Sequence, residues 1–152
     1  MKRMMLIGHT AAGKTTFCQA INHWELKYKK TQQIEWINNA IDTPGEYVEN
    51  RNLYRALLVT AADADLIILL QDCTDDGCIF APSFATMFTK PVIGLVTKID
   101  LASDEKQIQR AEAYLDMAGC RRIFRVSNTE QTGLEEIKAY LVEQGIFAQQ
   151  DE

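Results

Sequence analysis

The sequence predicts an α/β fold of three layers, in which helices cover both faces of a mainly parallel, six-stranded sheet. Apolar runs that indicate buried strands alternate with segments of helical periodicity along almost the whole chain. The run at 66–70 is continuously apolar, which is typical of a strand covered on both faces. Since parallel strands bring their carboxyl ends to one edge of the sheet, we expect any ligand site to lie at that edge.

The first half of the chain predicts three strands and two helices. The apolar run at 2–7 indicates a buried strand, and regularly spaced apolar residues over 15–24 indicate a helix. Residues 33–37 alternate between polar and apolar, as in a half-exposed strand. An Asn-Asn turn then leads to a short returning strand at 40–42, and 47–62 has the apolar spacing of a second helix.

The second half continues this alternation. After the buried run, we expect a short helix or irregular segment at 80–88 and a strand at 91–96. A helix over 103–119 ends at a glycine, the residue that best tolerates the positive φ common at helix ends. A strand at 122–126 and a final helix, with Thr132 as its N-cap, complete the predicted fold.

The composition is that of an ordinary globular protein. The chain has 152 residues, 47% of them hydrophobic, and we expect one domain over 1–148 with a polar tail at 149–152. The net charge of −5 argues against a general binder of nucleic acids or acidic membranes. No apolar run approaches the ~20 residues that span a bilayer, and the first strand follows Met1 too closely for a signal peptide. We therefore expect a cytoplasmic protein with four reduced cysteines and neither nucleic-acid nor membrane partners.

The segment between the first strand and the first helix has the pattern of a phosphate-binding loop, or P-loop. It reads Gly-His-Thr-Ala-Ala-Gly-Lys-Thr, with the glycines, lysine and threonine at the required spacing. The backbone N–H groups of such a loop surround phosphate oxygens, Lys14 can contact the β- and γ-phosphates, and the Thr15 hydroxyl can ligate Mg²⁺. The residues expected to contact a nucleoside triphosphate here are Gly8, His9, Thr10, Ala11, Ala12, Gly13, Lys14, Thr15 and Thr16.

A second motif, Asp-Thr-Pro-Gly, begins at the end of the strand at 40–42. Asp42 can bring a carboxylate beside Mg²⁺, and Gly45 offers a backbone N–H to the γ-phosphate without a side chain in the way. A simple Pro-Gly turn is the alternative interpretation. The phosphate loop upstream favours the nucleotide role.

Two further motifs follow the last two predicted strands. The first is Thr-Lys-Ile-Asp and contains Thr97, Lys98 and Asp100, and the second begins with Ser127 and Asn128. Both would lie at the same edge of the sheet as the phosphate loop, because all three follow parallel strands. We expect these residues to bind the same ligand.

Taken together, these motifs resemble those of the small Ras-like GTPases of the TRAFAC class over almost the full chain. The phosphate loop, Thr31 and the three later motifs occur in that family's order and approximate spacing. Within the class, Ile-Asp-Thr-Pro-Gly-Glu-Tyr at 41–47 and Lys-Pro-Val-Ile-Gly at 90–94 are similar to the EutP/PduV family. The resemblance implies binding of GTP and GDP with Mg²⁺ and a part in bacterial propanediol or ethanolamine utilisation. It also implies a location on bacterial microcompartments, with their shell or associated proteins as partners.

The resemblance further implies a role for individual residues. Asp100 would accept hydrogen bonds from N1–H and the exocyclic amine of guanine, a donor pair that adenine lacks. Lys98 would lie along the base or brace the phosphate loop, and the Ser127 region would approach the guanine O6 through its backbone. The residues implied to hold Mg²⁺ are Thr15, Thr31 and Asp42. Those implied to act in hydrolysis are Lys14, Gly45 and Glu46.

Glu46 departs from the Ras-like pattern, in which a glutamine commonly follows this glycine and orients the attacking water. A carboxylate near a polyphosphate is repelled unless it is protonated, turned away or acting as a base. We therefore predict slow GTP hydrolysis. Whether Glu46 is a base or a solvated acid of a switch loop stays open.

Three functions are compatible with this pattern. The first is a slowly hydrolysing GTP-binding switch that docks on a larger assembly. The second is an ATP-dependent kinase of a small carboxylate such as acetate or propionate, for which Arg51 and Arg55 are the best anion-binding candidates. The third is a structural adaptor that keeps bound nucleotide for stability alone.

Overall fold

Strands and helices alternate along the part of the chain described by the computed structural model, which covers residues 3–8, 17, 40–42, 54–127 and 132–145. The elements in chain order are β1 (Met4–Gly8), β2 (Ala40–Asp42), α1 (Tyr54–Ala61), β3 (Leu66–Asp72), a 3₁₀ helix at Phe84–Met87, β4 (Val92–Thr97), a 3₁₀ helix at Ile99–Leu101, α2 (Glu105–Ala118), β5 (Ile123–Arg125) and α3 (Leu134–Glu143).

The described strands form one fully parallel sheet in the order β2-β1-β3-β4-β5. This arrangement confirms the predicted α/β fold. The sheet has five described strands rather than the six expected, because the predicted strand at 33–37 lies outside the described residues. The predicted single domain over 1–148 stays a prediction, and the tail at 149–152 also lies outside.

Apolar side chains cover both faces of the sheet, as the continuous apolar strands predict. On one face, Met4 and Leu6 of β1 belong to a core with the inner side of α3. On the other face, Met5 and Ile7 belong to a second core with α1 and α2. All four side chains are fully buried, so the alternation along one strand fixes the three-layer order.

The helix α2 differs slightly from its predicted start. Asp104, rather than Ser103, is its N-cap, and an Asp104 carboxylate oxygen accepts a hydrogen bond from the Gln107 N–H at 3.1 Å. The Gln107 side chain in turn accepts from the Ser103 N–H at 2.8 Å, so both residues take part in the cap. The predicted end at Gly119 is confirmed, since this glycine has φ 100° and closes the helix.

The described cysteines are Cys73, Cys78 and Cys120, and none of them forms a disulfide. Burial raises the pKa of the Cys120 thiol to about 12, so it stays neutral at physiological pH. Cys18 lies outside the described residues. No helix within the described ranges combines the length and apolar character needed to cross a bilayer.

Candidate nucleotide-binding site

The carboxyl ends of the described parallel strands lie at one edge of the sheet. Gly8 ends β1 beside Leu70 of β3, and Asp72 at the end of β3 lies beside Thr97 at the end of β4. This edge is where open α/β sheets bind their ligands. Thr97, the first residue of the third motif, therefore lies at this edge.

Asp100 and Ser127 are in direct contact. The Ser127 hydroxyl donates a hydrogen bond to Oδ1 of Asp100 at 2.6 Å, the length expected for a hydroxyl bound to a carboxylate. Ser127 is buried, whereas Asp100 is exposed. The backbone N–H of Ile99 also donates to the Val126 carbonyl at 3.4 Å, which links the two segments. One carboxylate oxygen is thus held in place on a residue that is exposed at the surface.

Two backbone hydrogen bonds join Ser127, which follows β5, to Thr132, which precedes α3. Ser127 N–H donates to the Thr132 carbonyl at 2.9 Å, and Thr132 N–H donates back to Ser127 at 3.0 Å. The prediction that Thr132 is the N-cap of the last helix is therefore wrong. Gly133 holds that position with φ 77° and no side-chain capping bond. Thr132 pairs with Ser127 through its backbone, and the left-handed glycine that follows leads the chain into α3.

Gly133 lies so close to β5 that no larger residue fits. A Cβ at this position would be 1.9 Å from the Arg125 carbonyl oxygen. Gly133→Ala is expected to lower the free energy of unfolding by about 2–3 kcal/mol, because a backbone clash adds to the positive φ. If this edge binds the nucleotide expected from the sequence, the variant should also weaken that binding, since the backbone of Ser127 pairs with Thr132 next to Gly133.

Gly119→Ala is the matched control for this prediction. Its φ is also positive, at 100°, but the nearest atom to an added Cβ is the Ala85 Cβ at 3.2 Å, away from Asp100. Thermal melts should show a loss of stability for both variants. Nucleotide titrations should show weaker binding for Gly133→Ala only. Equal effects of the two variants on binding would contradict the proposed link between Gly133 and Ser127.

Lys98 has a left-handed backbone, with φ 61° and ψ 35°. Its carbonyl accepts hydrogen bonds from the Cys73 thiol at 3.2 Å and from the Leu101 N–H at 2.9 Å. Its ammonium group lies 3.0 Å from Oδ2 of Asp72. A left-handed non-glycine residue is uncommon and often marks a functional site. The sequence did not indicate this partner for Lys98, because the predicted strand ends at 70, two residues before Asp72.

Thr97 is fully buried at the end of β4. Its hydroxyl contacts the Gln71 carbonyl at 3.5 Å, and its own carbonyl accepts from the Cys73 N–H at 3.2 Å. These contacts join the ends of β3 and β4, so Thr97 fixes the strand end that Lys98 and Asp100 follow.

Most residues of the first two motifs lie outside the described part of the chain. Asp42 is described only as the last residue of β2, paired with Leu6 of β1. The predicted site residues outside the described ranges are His9, Thr10, Ala11, Ala12, Gly13, Lys14, Thr15, Thr16, Thr31, Gly45, Glu46 and Asn128, and the anion-binding candidate Arg51 also lies outside them.

The family relationship is visible in sequence comparisons. Residues 1–143 match the family described as "Ethanolamine utilisation - propanediol utilisation". The chain is 46% identical over 141 residues to the propanediol utilization protein PduV of Citrobacter freundii, a match covering 93% of each chain. It is 27% identical over 143 residues to "Probable acetate kinase EutP" of Escherichia coli K12, covering 93% of this chain and 89% of that relative. The predicted resemblance is confirmed.

The fold is similar to that of a solved nucleotide-bound protein. Translation elongation factor SelB from Methanococcus maripaludis, in complex with the GTP analogue GppNHp, aligns with a TM-score of 0.59 and 19% identity. The alignment covers 99% of this chain and 36% of that one. This likeness supports the fold class assigned from the sequence.

Proposed function

Because this chain belongs to the ethanolamine and propanediol utilisation family, we propose that it is a GTP-binding protein that hydrolyses GTP slowly. The observation that carries the proposal is the 2.6 Å hydrogen bond from Ser127 to Asp100 at the carboxyl edge of the sheet. It holds an exposed carboxylate in one orientation on the same edge at which β1 leads into the phosphate-loop sequence. A fixed acceptor on the edge of the sheet that also carries the phosphate-loop sequence supports recognition of a guanine nucleotide.

The proposed base preference depends on which hydrogen bonds each purine can satisfy. Guanine has two adjacent donors, N1–H and the exocyclic amine, that match the two oxygens of the Asp100 carboxylate. Adenine has an acceptor at N1, so it would leave the carboxylate without these bonds and facing a lone pair. A binding site that loses a hydrogen bond to a charged group rejects the wrong ligand strongly.

The phosphate part of the proposal depends on the sequence motifs. Lys14 and the loop around it would bind the phosphates, and Gly45 would contact the γ-phosphate. Thr15, Thr31 and Asp42 offer hydroxyl and carboxylate oxygens, which are the ligand types that Mg²⁺ prefers. The described position of Asp42, at the end of the strand next to β1, fits that role. Bound Mg²⁺ would neutralise charge on the β- and γ-phosphates.

The cellular setting of the proposal comes from the relatives. The C. freundii relative is named a propanediol utilization protein, and we propose that this chain serves the same metabolism. We further propose that it acts with shell or associated proteins of bacterial microcompartments. Glu46 stands where Ras-like GTPases commonly have glutamine, so we expect slow hydrolysis. Slow hydrolysis suits a switch that binds its partner while GTP remains bound.

An ATP-dependent acetate kinase is the second candidate, because the E. coli relative is named a probable acetate kinase. In that reaction the γ-phosphate of ATP passes to a carboxylate oxygen of acetate, giving acetyl phosphate and ADP. Arg55 is exposed on α1 and could bind such an anion. The orientation of Asp100 favours the guanine-nucleotide proposal over this one.

One titration series separates the two candidates. GTP, GDP and ATP are titrated with Mg²⁺ into nucleotide-free protein, and nucleotide turnover is followed with and without acetate. We expect GTP and GDP to bind at least about 100-fold more tightly than ATP. We also expect GTP turnover to stay below about 10⁻² s⁻¹ without an activator. A preference for ATP, with acetyl phosphate formed from acetate, would instead support the kinase and reject the GTP-binding proposal.

A further inference from the structure

The end of β3 holds both the side chain and the backbone of Lys98. Asp72, the last residue of β3, pairs with the Lys98 ammonium at 3.0 Å, and the next residue, Cys73, donates its thiol hydrogen to the Lys98 carbonyl at 3.2 Å. Only 15% of the Asp72 side chain and 34% of the Lys98 side chain are exposed. Because the pair is largely shielded from water, it is weakened less by solvent than a surface ion pair.

Asp72 is itself held in one orientation. Its Oδ1 accepts hydrogen bonds from the Thr74 N–H at 2.8 Å and from the Thr74 hydroxyl at 2.7 Å. This turn leaves Oδ2 directed at Lys98. Partial burial opposes ionisation, but the hydrogen bonds from Thr74 and the neighbouring Lys98 charge outweigh it and lower the pKa of Asp72. The carboxylate is therefore charged throughout the neutral range.

The turn that carries Asp72 is anchored to α2. The Arg110 guanidinium donates to the Asp75 carbonyl at 3.3 Å, and the Tyr114 hydroxyl donates to the Asp76 carbonyl at 2.8 Å. These contacts join the turn to a 14-residue helix. The turn that carries the Asp72 carboxylate is thus fixed to α2 by hydrogen bonds.

We propose that Asp72 is a positioning residue for guanine-nucleotide binding, which acts by fixing Lys98 in the loop that carries Asp100. The inference rests on the proposed GTP binding and adds to it a residue outside the recognised motifs. With its side chain and carbonyl both held, Lys98 keeps the left-handed backbone from which the chain turns towards Asp100. Loss of the Asp72 charge leaves the loop free to adopt other orientations and weakens nucleotide binding.

A double-mutant cycle tests this inference. Asp72→Asn is the informative variant, because the amide oxygen can still accept the hydrogen bonds from Thr74 while the charge next to Lys98 is lost. Asp72→Asn, Lys98→Met and the double variant are compared by GDP titration and by thermal melts. We expect Asp72→Asn to weaken GDP binding about tenfold. Because Asp72 acts through Lys98, the double variant should have almost the same affinity for GDP as Lys98→Met. Asp76→Asn, on the same turn, is the charge-matched control. The Asp76 side chain is 94% exposed and lies 3.4 Å from the Arg110 guanidinium. Because so exposed an ion pair contributes little, this variant should leave GDP binding unchanged.

The possible results are distinguishable. Additive losses of GDP affinity in the double variant, or an unchanged affinity in Asp72→Asn, would overturn the inference while leaving GTP binding intact. An equal loss in Asp76→Asn would also overturn it, because the effect would then come from the charge of the turn. A correctly folded wild-type chain that binds no guanine nucleotide would overturn the proposed function and this inference together.

Discussion

Replacing Asp100 by asparagine is expected to weaken GTP binding by about 100-fold and to improve binding of xanthosine triphosphate by a similar factor. Asparagine can keep the hydrogen bond from Ser127 through its amide oxygen, so the side chain should stay in place. Its amide nitrogen then presents a donor where the carboxylate had an acceptor. Xanthine carries a carbonyl where guanine carries the exocyclic amine, so the exchanged donor and acceptor match again.

The measurement is a competition of GTP and xanthosine triphosphate against a fluorescent guanine nucleotide, for wild type and variant. Asp116→Asn is the control, because Asp116 is an exposed carboxylate on α2 and its loss changes the net charge equally. This control should keep the wild-type order of affinities. If Asp100→Asn keeps the wild-type ratio of affinities for GTP and xanthosine triphosphate, Asp100 does not recognise the base.

The general position of this site could be predicted from the sequence, because it depends on strand order and motif spacing alone. A parallel sheet requires the ends of β4 and β5 to lie at the same edge, so Asp100 and Ser127 were expected near one another. The particular hydrogen bond between their side chains was not predicted. It depends on the left-handed backbone of Gly133 and on the backbone pairing of Ser127 with Thr132, neither of which leaves a hydrophobic pattern in the sequence.

The role of Asp72 was missed for a different physical reason. Hydrophobicity indicated the strand only as far as Leu70, whereas β3 continues through Gln71 and Asp72. Gln71 is buried although it is polar, and its side-chain amide donates to the Gly77 carbonyl at 3.0 Å. Polar residues whose hydrogen bonds are satisfied within the fold can continue a strand, although the sequence shows no apolar run at those positions. The partner of Lys98 therefore lay beyond the predicted strand end.

Replacing Lys14 by alanine is expected to weaken binding of GTP and ATP alike, by about 1,000-fold for the preferred nucleotide, because both carry the same triphosphate. Asp100→Asn changes which base is accepted, whereas Lys14→Ala removes a charge that any triphosphate needs. The third candidate function, an adaptor that keeps nucleotide only for stability, predicts that Lys14→Ala lowers the melting temperature but leaves recruitment to its partner intact.

Lys106→Ala is the control for Lys14→Ala, because Lys106 is an exposed lysine on α2 and its loss changes the net charge equally. Calorimetric titration with GTP and Mg²⁺ measures the affinity, and thermal melts with and without nucleotide measure the stabilisation by ligand. Ligand that binds only the folded state raises stability in proportion to the logarithm of its excess over Kd, so a variant that cannot bind should melt at one temperature in both conditions. A Lys14→Ala chain that is stabilised by GTP as strongly as the wild type would contradict the assignment of 8–15 as the phosphate loop. In that case Asp100 could still select the base, but residues 8–15 would not be what binds the triphosphate.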